Sequence, residues 1–236
     1  MSPVPSEKAL RDLRRRVGAA PLKALFEALA VPLAQPSTPG ARYRSWRTVA
    51  FDGCGSLKVP DHERNRNWLG KLKSRLGPAG YPTMMLMALV ETGTRGVLGG
   101  AVFRSPRTSA ITYAARLLQL LDRNMLLLAD RGFDSNHSRE AVAATGSQFL
   151  TRCRPYRRPP VLTVLNDGSY LTQIAGPRLR VIDAEVKGER RTANGADGST
   201  IADQYRLVTA LTDHRTGPAT SMTRNVRWNL DPVCPG

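Results

Sequence analysis

The chain has 236 residues, of which 35 are Lys or Arg and 19 are Asp or Glu, giving a formal charge of +16, and 41% of it is apolar. That is enough apolar material for a folded core, and 17 Pro with 20 Gly fall short of a disordered or collagen-like composition. The longest apolar run, Met84 to Val90, is far below the ~20 residues of a spanning helix, and Cys54, Cys153 and Cys234 lack the CxxC pairing of a zinc site or disulfide scaffold.

The N-terminus, MSPVPSEKALRDLRRR, has no apolar stretch of the secretory kind, so a cytoplasmic protein without membrane contact is expected. Residues 6–30 predict two helices. Leu10, Leu13 and Val17 share one face; Leu22, Leu25, Phe26 and Leu29 follow the i, i+3, i+4, i+7 rule, with Gly18 and Pro21 between the two sets. Arg11, Arg14, Arg15 and Arg16 form a cationic stripe, readable as a solvated face or as a phosphate contact. Pro32 to Arg42 reads as a linker, which closes a helical N-terminal segment at residues 1–42.

A core is expected over 43–156. WRTVAFD, MMLMALVET and VLGGAVF are short strands bounded by Gly, Pro or charge. A helix follows with Ala114, Leu117, Leu118 and Leu121 on one face, then a strand from Met125 to Leu128 that runs into Ala129 and Asp130. Ser135 to Thr145 predicts a helix closed by Gly146, and QFLTRC another strand. Three antiparallel strands followed by alternating helix and strand describe a mixed α/β sheet. Residues 157–203 read as an all-β insertion, in which VLTVL, SYLTQIA and RLRVIDAEV are separated by the turn signals Asp167-Gly168, Gly176-Pro177, Asn194-Gly195 and Asp197-Gly198. The sheet pattern resumes with YRLVTALTD in a last segment, 204–236.

A charge of +16 points to a polyanionic partner, because Lys and Arg that neutralise phosphates release counterions; Arg-rich codon usage is the compositional alternative. Asp52 and Asp130 each end an apolar strand, where α/β sheets place ligands. A lone strand-terminal Asp more often caps a turn, and Asp52-Gly53 is itself a turn dipeptide. Two such carboxylates on one sheet, with no Cys or His beside them, instead select a hard cation, Mg²⁺ or Mn²⁺. Paired ions of this kind about 3.5–4 Å apart serve phosphoryl chemistry, which joins the carboxylates to the charge. His62, His137 and His214 are dispersed and read as surface or loop residues, and Cys54 as a small packing residue.

The blocks TVAFDGCGSLKVPDHERNRNWLG, MLLLADRGFDS and YRLVTALTD resemble, in order over most of residues 7–215, the core of bacterial DDE transposases of the insertion sequence four family. The resemblance implies an RNase H-like fold with a β-rich insertion and an Asp, Asp, Glu triad holding two Mg²⁺ or Mn²⁺ ions. It implies cleavage and strand transfer at insertion-sequence ends, with double-stranded DNA as partner, end and target alike, and a homodimer on DNA. Asp52 matches the first carboxylate, on the first strand, and Asp130 the second, on the fourth. Gly132 matches a residue that permits a tight exit after Asp130, Phe133 one that packs beneath the site, and Asn67, Trp68 and Gly70 a shared block read as packing. Arg131, Arg152, Arg154, Arg157 and Arg158 would line the DNA path.

The family's last signature is Tyr, two residues, Arg, three residues, Glu, six residues, Lys, on a helix. With Arg227 on its Arg, Asp231 falls on the Glu position, Arg224 replaces the Tyr, and the chain stops at Gly236, short of the Lys. Pro232 disfavours helix at Asp231. A copy truncated in its catalytic helix is therefore expected, with Asp231 as third carboxylate. The alternatives are a DNA-binding remnant without cleavage and a related nuclease that needs no end sequence.

Overall fold

The computed structural model describes residues 4–74, 77–103, 110–174, 176–192 and 195–223. The two N-terminal helices form as the apolar spacing predicts: α1 (Glu7–Val17), started by the Ser6 hydroxyl, which accepts the Ala9 N–H, and ended at Gly18 with φ of 72°, then α2 (Ala20–Leu29) with Pro21 in its first turn. Their apolar stripes do not pack as that spacing suggests, since no residue of either helix is buried.

The segment expected to be a linker is instead strapped to the sheet edge. The buried Glu91 carboxylate accepts the N–H groups of Leu33 (3.3 Å) and Ala34 (2.8 Å), a hydroxyl proton from Thr94, and a guanidinium N–H from Arg47. Ala41 runs so close to Gly93 that a Cβ there would lie 2.5 Å from the Ala41 nitrogen. Four burying interactions on one carboxylate turn a Pro- and Ser-rich stretch into ordered structure.

A two-residue strand β1 (Arg42–Tyr43) leads into β2 (Trp46–Lys58), which runs past Asp52 rather than ending there. A short helix α3 (Glu63–Leu69) and the pair β3 (Leu72–Ser74) and β4 (Gly77–Ala79) precede β5 (Thr83–Glu91) and β6 (Val97–Phe103). Of the block read as packing, Leu69 is buried while Asn67 and Trp68 are exposed. The next helix is α4 (Ala110–Ala114), which tightens to a 3₁₀ helix at Ala115–Leu120. Then come β7 (Met125–Ala129), a 3₁₀ turn at Arg131–Phe133, α5 (Asn136–Ala144) capped by Ser135, and β8 (Gln148–Arg152).

The remaining strands, β9 (Thr163–Val164), β10 (Tyr170–Gln173), β11 (Arg178–Thr192) and β12 (Gly195–Thr209), extend the same sheet. The order is β6-β5-β2-β7-β8-β12-β11-β10-β9, with β2, β7 and β8 mutually parallel and the other neighbours antiparallel. The β11–β12 ladder closes at Thr192 and Gly195, whereas Asp197-Gly198 makes no turn. It lies in β12 where the register shifts from Glu189↔Thr200 to Arg191↔Ala196, so a turn signal is absorbed as a bulge.

Strand alternation assigns the two faces. Val49, Phe51, Leu127, Ala129 and Phe149 point into a core shared with Tyr113, Leu117 and Val142 from the helical layer. Ala50, Leu126, Leu128, Leu150, Ile182 and Leu207 form the opposite core with Tyr43 and Met222, the latter from a helical turn at 219–223. No helix among the described residues is long and apolar enough to cross a membrane.

Candidate metal and nucleic-acid site

Register brings the two carboxylates to the same end of neighbouring strands. The parallel β2–β7 ladder pairs Thr48 with Leu126 and ends with Ala50 opposite Leu128; Asp52 and Asp130 each follow that last pair by two residues. Because Ala50 and Leu128 belong to the Met222 face, alternation puts both Asp side chains on that face, at the carboxyl end of β7. Both residues are exposed, and neither side chain makes a hydrogen bond or ion pair among the described residues.

What lies underneath is rigid and apolar. Phe51, next to Asp52 on β2, alternates to the other face, and Phe133 of the 3₁₀ turn after Asp130 packs against it with ring centroids 5.4 Å apart and a 37° tilt. Gly132 is different: the exit from β7 is a right-handed 3₁₀ turn closed by Phe133 N–H on the Asp130 carbonyl (2.8 Å), and a Cβ at Gly132 would meet nothing within 4 Å. The tight exit does not depend on glycine.

The β7–β8 ladder ends with Ala129 opposite Thr151, so Arg152 is the next residue of β8, and it lies opposite Leu207 on β12. Its guanidinium carbon sits 3.6 Å from the Tyr205 ring centroid, a cation–π contact. On the other side Asp52 pairs with Ala88, and Ala88 with Gly100, so small residues flank it.

The arginines expected to line a DNA path divide into two sets. Arg154 and Arg157 are engaged by a carboxylate that sequence reading passed over, the buried Asp134. It accepts the Arg154 backbone N–H at 2.8 Å, Arg157 Nε at 3.1 Å and a guanidinium N–H of Arg139. Arg154 also donates to Tyr156 (2.8 Å), and Arg157 to Asn136 (3.1 Å). Arg131 and Arg158 are exposed, and their side chains make no hydrogen bond or ion pair among the described residues. The only signal for Asp134 was its place just before the Ser135 cap; its arginine partners are contributed by α5 and the segment after β8.

Asp231 lies outside the described residues, as do Arg224, Arg227 and Cys234. The described chain ends on the carboxylate face: Met222 is buried among Leu126, Leu128, Ile182 and Leu207. A second charged cluster seats this segment. Arg180 of β11 is fully buried and donates to Ser169 (2.8 Å), to the Gly217 carbonyl (2.5 Å) and to Asp167. Asp167 in turn accepts the Ala219 N–H at 3.0 Å. Burial pushes the Asp167 carboxyl up, but hydrogen bonds from Ser169 and Ala219 and the Arg180 charge outweigh it and hold the group below the usual carboxylate range.

No cluster of three or more His, Cys, Asp or Glu with metal-binding geometry occurs among the described residues. His62 precedes α3, His137 is exposed on α5 and His214 lies in a turn. Cys54 is half-buried, while Cys153 is buried and its thiol is pushed up to about 12, by burial first and by Asp134 second.

No family model matches the chain, and no curated protein does. A solved structure similar to it is a piggyBac transposase in a synaptic complex with hairpin DNA, at a TM-score of 0.45 and 11% identity, with 95% of this chain aligned. The chain spans 45% of the length of that protein, and the reading of the site rests on its own register and electrostatics.

Proposed function

We propose that the chain is a DDE-type transposase with an RNase H-like core, of the insertion sequence four class, acting on double-stranded DNA at insertion-sequence ends. The observation that carries this reading is the place of Asp52 and Asp130 at the same end of two adjacent parallel strands, each two residues past the last ladder pair, exposed and without a cationic partner among the described residues. The order of the elements supports it too, since the first carboxylate stands on the first long strand and the second at the end of the fourth.

Two bare carboxylates are a hard-oxygen donor set suited to Mg²⁺ or Mn²⁺, so Asp52 and Asp130 would be the metal ligands, with Asp231 the proposed third. When bound, such ions activate an attacking oxygen and stabilise the leaving one. The chain's own contribution is positioning and charge: Phe51 and Phe133 fix the two strands, and Arg131 and Arg158 neutralise backbone phosphates beside Asp130. Water would break a phosphodiester to free a 3′-hydroxyl, and that hydroxyl would then attack the target strand.

The test is cleavage of DNA carrying the element ends. Nicking that needs Mg²⁺ or Mn²⁺ and is lost in Asp52→Ala and Asp130→Ala supports the enzyme; equal nicking in EDTA overturns it. The Asp231-Pro232 sequence favours one alternative, a DNA-binding remnant, which predicts salt-sensitive binding that neither substitution changes and no cleavage. A cut without preference for end sequences indicates a related nuclease. Sedimentation on end DNA tests the proposed homodimer.

A further inference from the structure

We infer that Arg180 and Asp167 are positioning residues of the cleavage site, an inference that rests on Asp52 and Asp130 being its metal carboxylates. Neither touches those carboxylates. Arg180 lies on β11, three strands from β7, in the row Arg180–Thr209–Leu150–Leu128–Ala50, whose last two members precede Asp130 and Asp52 by two residues each.

The pair acts on the segment that crosses this face. Arg180 binds the Gly217 carbonyl, Asp167 receives the Ala219 N–H, and both groups belong to the start of the turn at 219–223. Two further contacts fix its direction: the Ser221 hydroxyl lies 2.8 Å from that of Tyr43, and the Met222 side chain fills the core against Leu126 and Leu128. A fully buried guanidinium is a costly way to stabilise a sheet, because apolar residues of the same size do as well or better. What it supplies here, and apolar residues cannot, is directional bonding to one carbonyl and, through its partner, to one N–H. The clamp therefore fixes where 217–223 lies over the face that carries Asp52 and Asp130.

Nitroxide labels at Thr223→Cys and His137→Cys, in a background of Cys54→Ser and Cys234→Ser, report that placement as a distance distribution. A single narrow distribution is expected for the otherwise unaltered chain, broadened in Arg180→Met and in Asp167→Asn. Nicking in those variants should fall about a hundredfold, as for a misplaced site, with DNA affinity unchanged. The double variant Arg180→Met/Asp167→Leu removes the unpaired charge and should regain the melting temperature while the distribution stays broad and nicking stays slow. This double variant also decides the matter if the single ones do not fold. Recovery of distribution and rate along with melting temperature, or single variants that keep a narrow distribution, would overturn the inference. Absence of nicking in the unaltered chain would sink the transposase reading instead, and the distances would still decide the clamp.

Discussion

Two kinds of carboxylate share this molecule, and the contrast between them is the most informative feature of the structure. Glu91 and Asp134, both buried, and the half-buried Asp167 are each engaged by arginine and by backbone or hydroxyl donors, and these bonds tie distant segments together. Asp52 and Asp130 follow the last ladder pair of neighbouring strands by two residues each, exposed, with no such partner among the described residues. In a chain with 35 Lys and Arg, cations are abundant, and the three engaged carboxylates draw theirs from segments far apart in sequence. The first kind is architecture, in which charge is neutralised within the chain. The second kind is left to solvent among the described residues, and it is there that the proposed divalent cation would bind.

Breaking each kind should give opposite signatures. The largest effect is expected at the bare pair: Asp52→Ala or Asp130→Ala takes metal-dependent nicking to background, while stability changes by no more than about 0.5 kcal/mol, as for an exposed site. Chemical denaturation alongside the nicking assay checks both halves, and a large loss of stability would erase the distinction. Asp134→Ala should do the reverse first, costing about 3–5 kcal/mol in urea unfolding because Arg139 is left buried, and Arg157 half-buried, without their counter-charge.

Asp167 gives a pH signature. Its carboxyl is depressed in the folded chain, so it binds fewer protons there than when unfolded. Its contribution is thus present above the unfolded value of about 3.9 and is lost as pH falls through the folded value. Melting curves below pH 4 should therefore fall less steeply in Asp167→Asn than in the unaltered chain. The smallest effect belongs to the exposed arginines: Arg131→Ala and Arg158→Ala should each lower the slope of log affinity against log salt by about 1, uniformly across DNA sequences. Alanine at Arg157, which is held by Asp134, should instead show first as lost stability.

Much of this was legible in the residues. The strands WRTVAFD and MLLLAD, the helix from Ser135 and the end of α1 at Gly18 follow from alternation, capping and glycine, all of which act over a few residues. Asp52 and Asp130 were visible as carboxylates that end apolar runs, and Phe133 as their support. The misreadings share one cause. Pro32 to Arg42 has the composition of a linker, yet Glu91 lies some fifty residues further along and binds it; Asp197-Gly198 has the form of a turn, yet β11 runs opposite and absorbs it as a bulge. Arg157 looks like a free cation until Asp134 is brought beside it, and the Arg154 guanidinium until Tyr156 accepts from it.

The sequence by itself determined most of the elements, the net positive charge and the two carboxylates at the ends of apolar runs, because each depends on residue chemistry or on spacing within one segment. Only the tertiary structure decided that β2 and β7 run side by side and bring Asp52 and Asp130 to the same end of the sheet, that Asp134 and Asp167 are occupied, and that Met222 packs on the face of Leu126 and Leu128. Those facts depend on strand register and on which charges meet across the sheet. Pairings between distant segments are set by the sum of all packing contacts rather than by any local pattern.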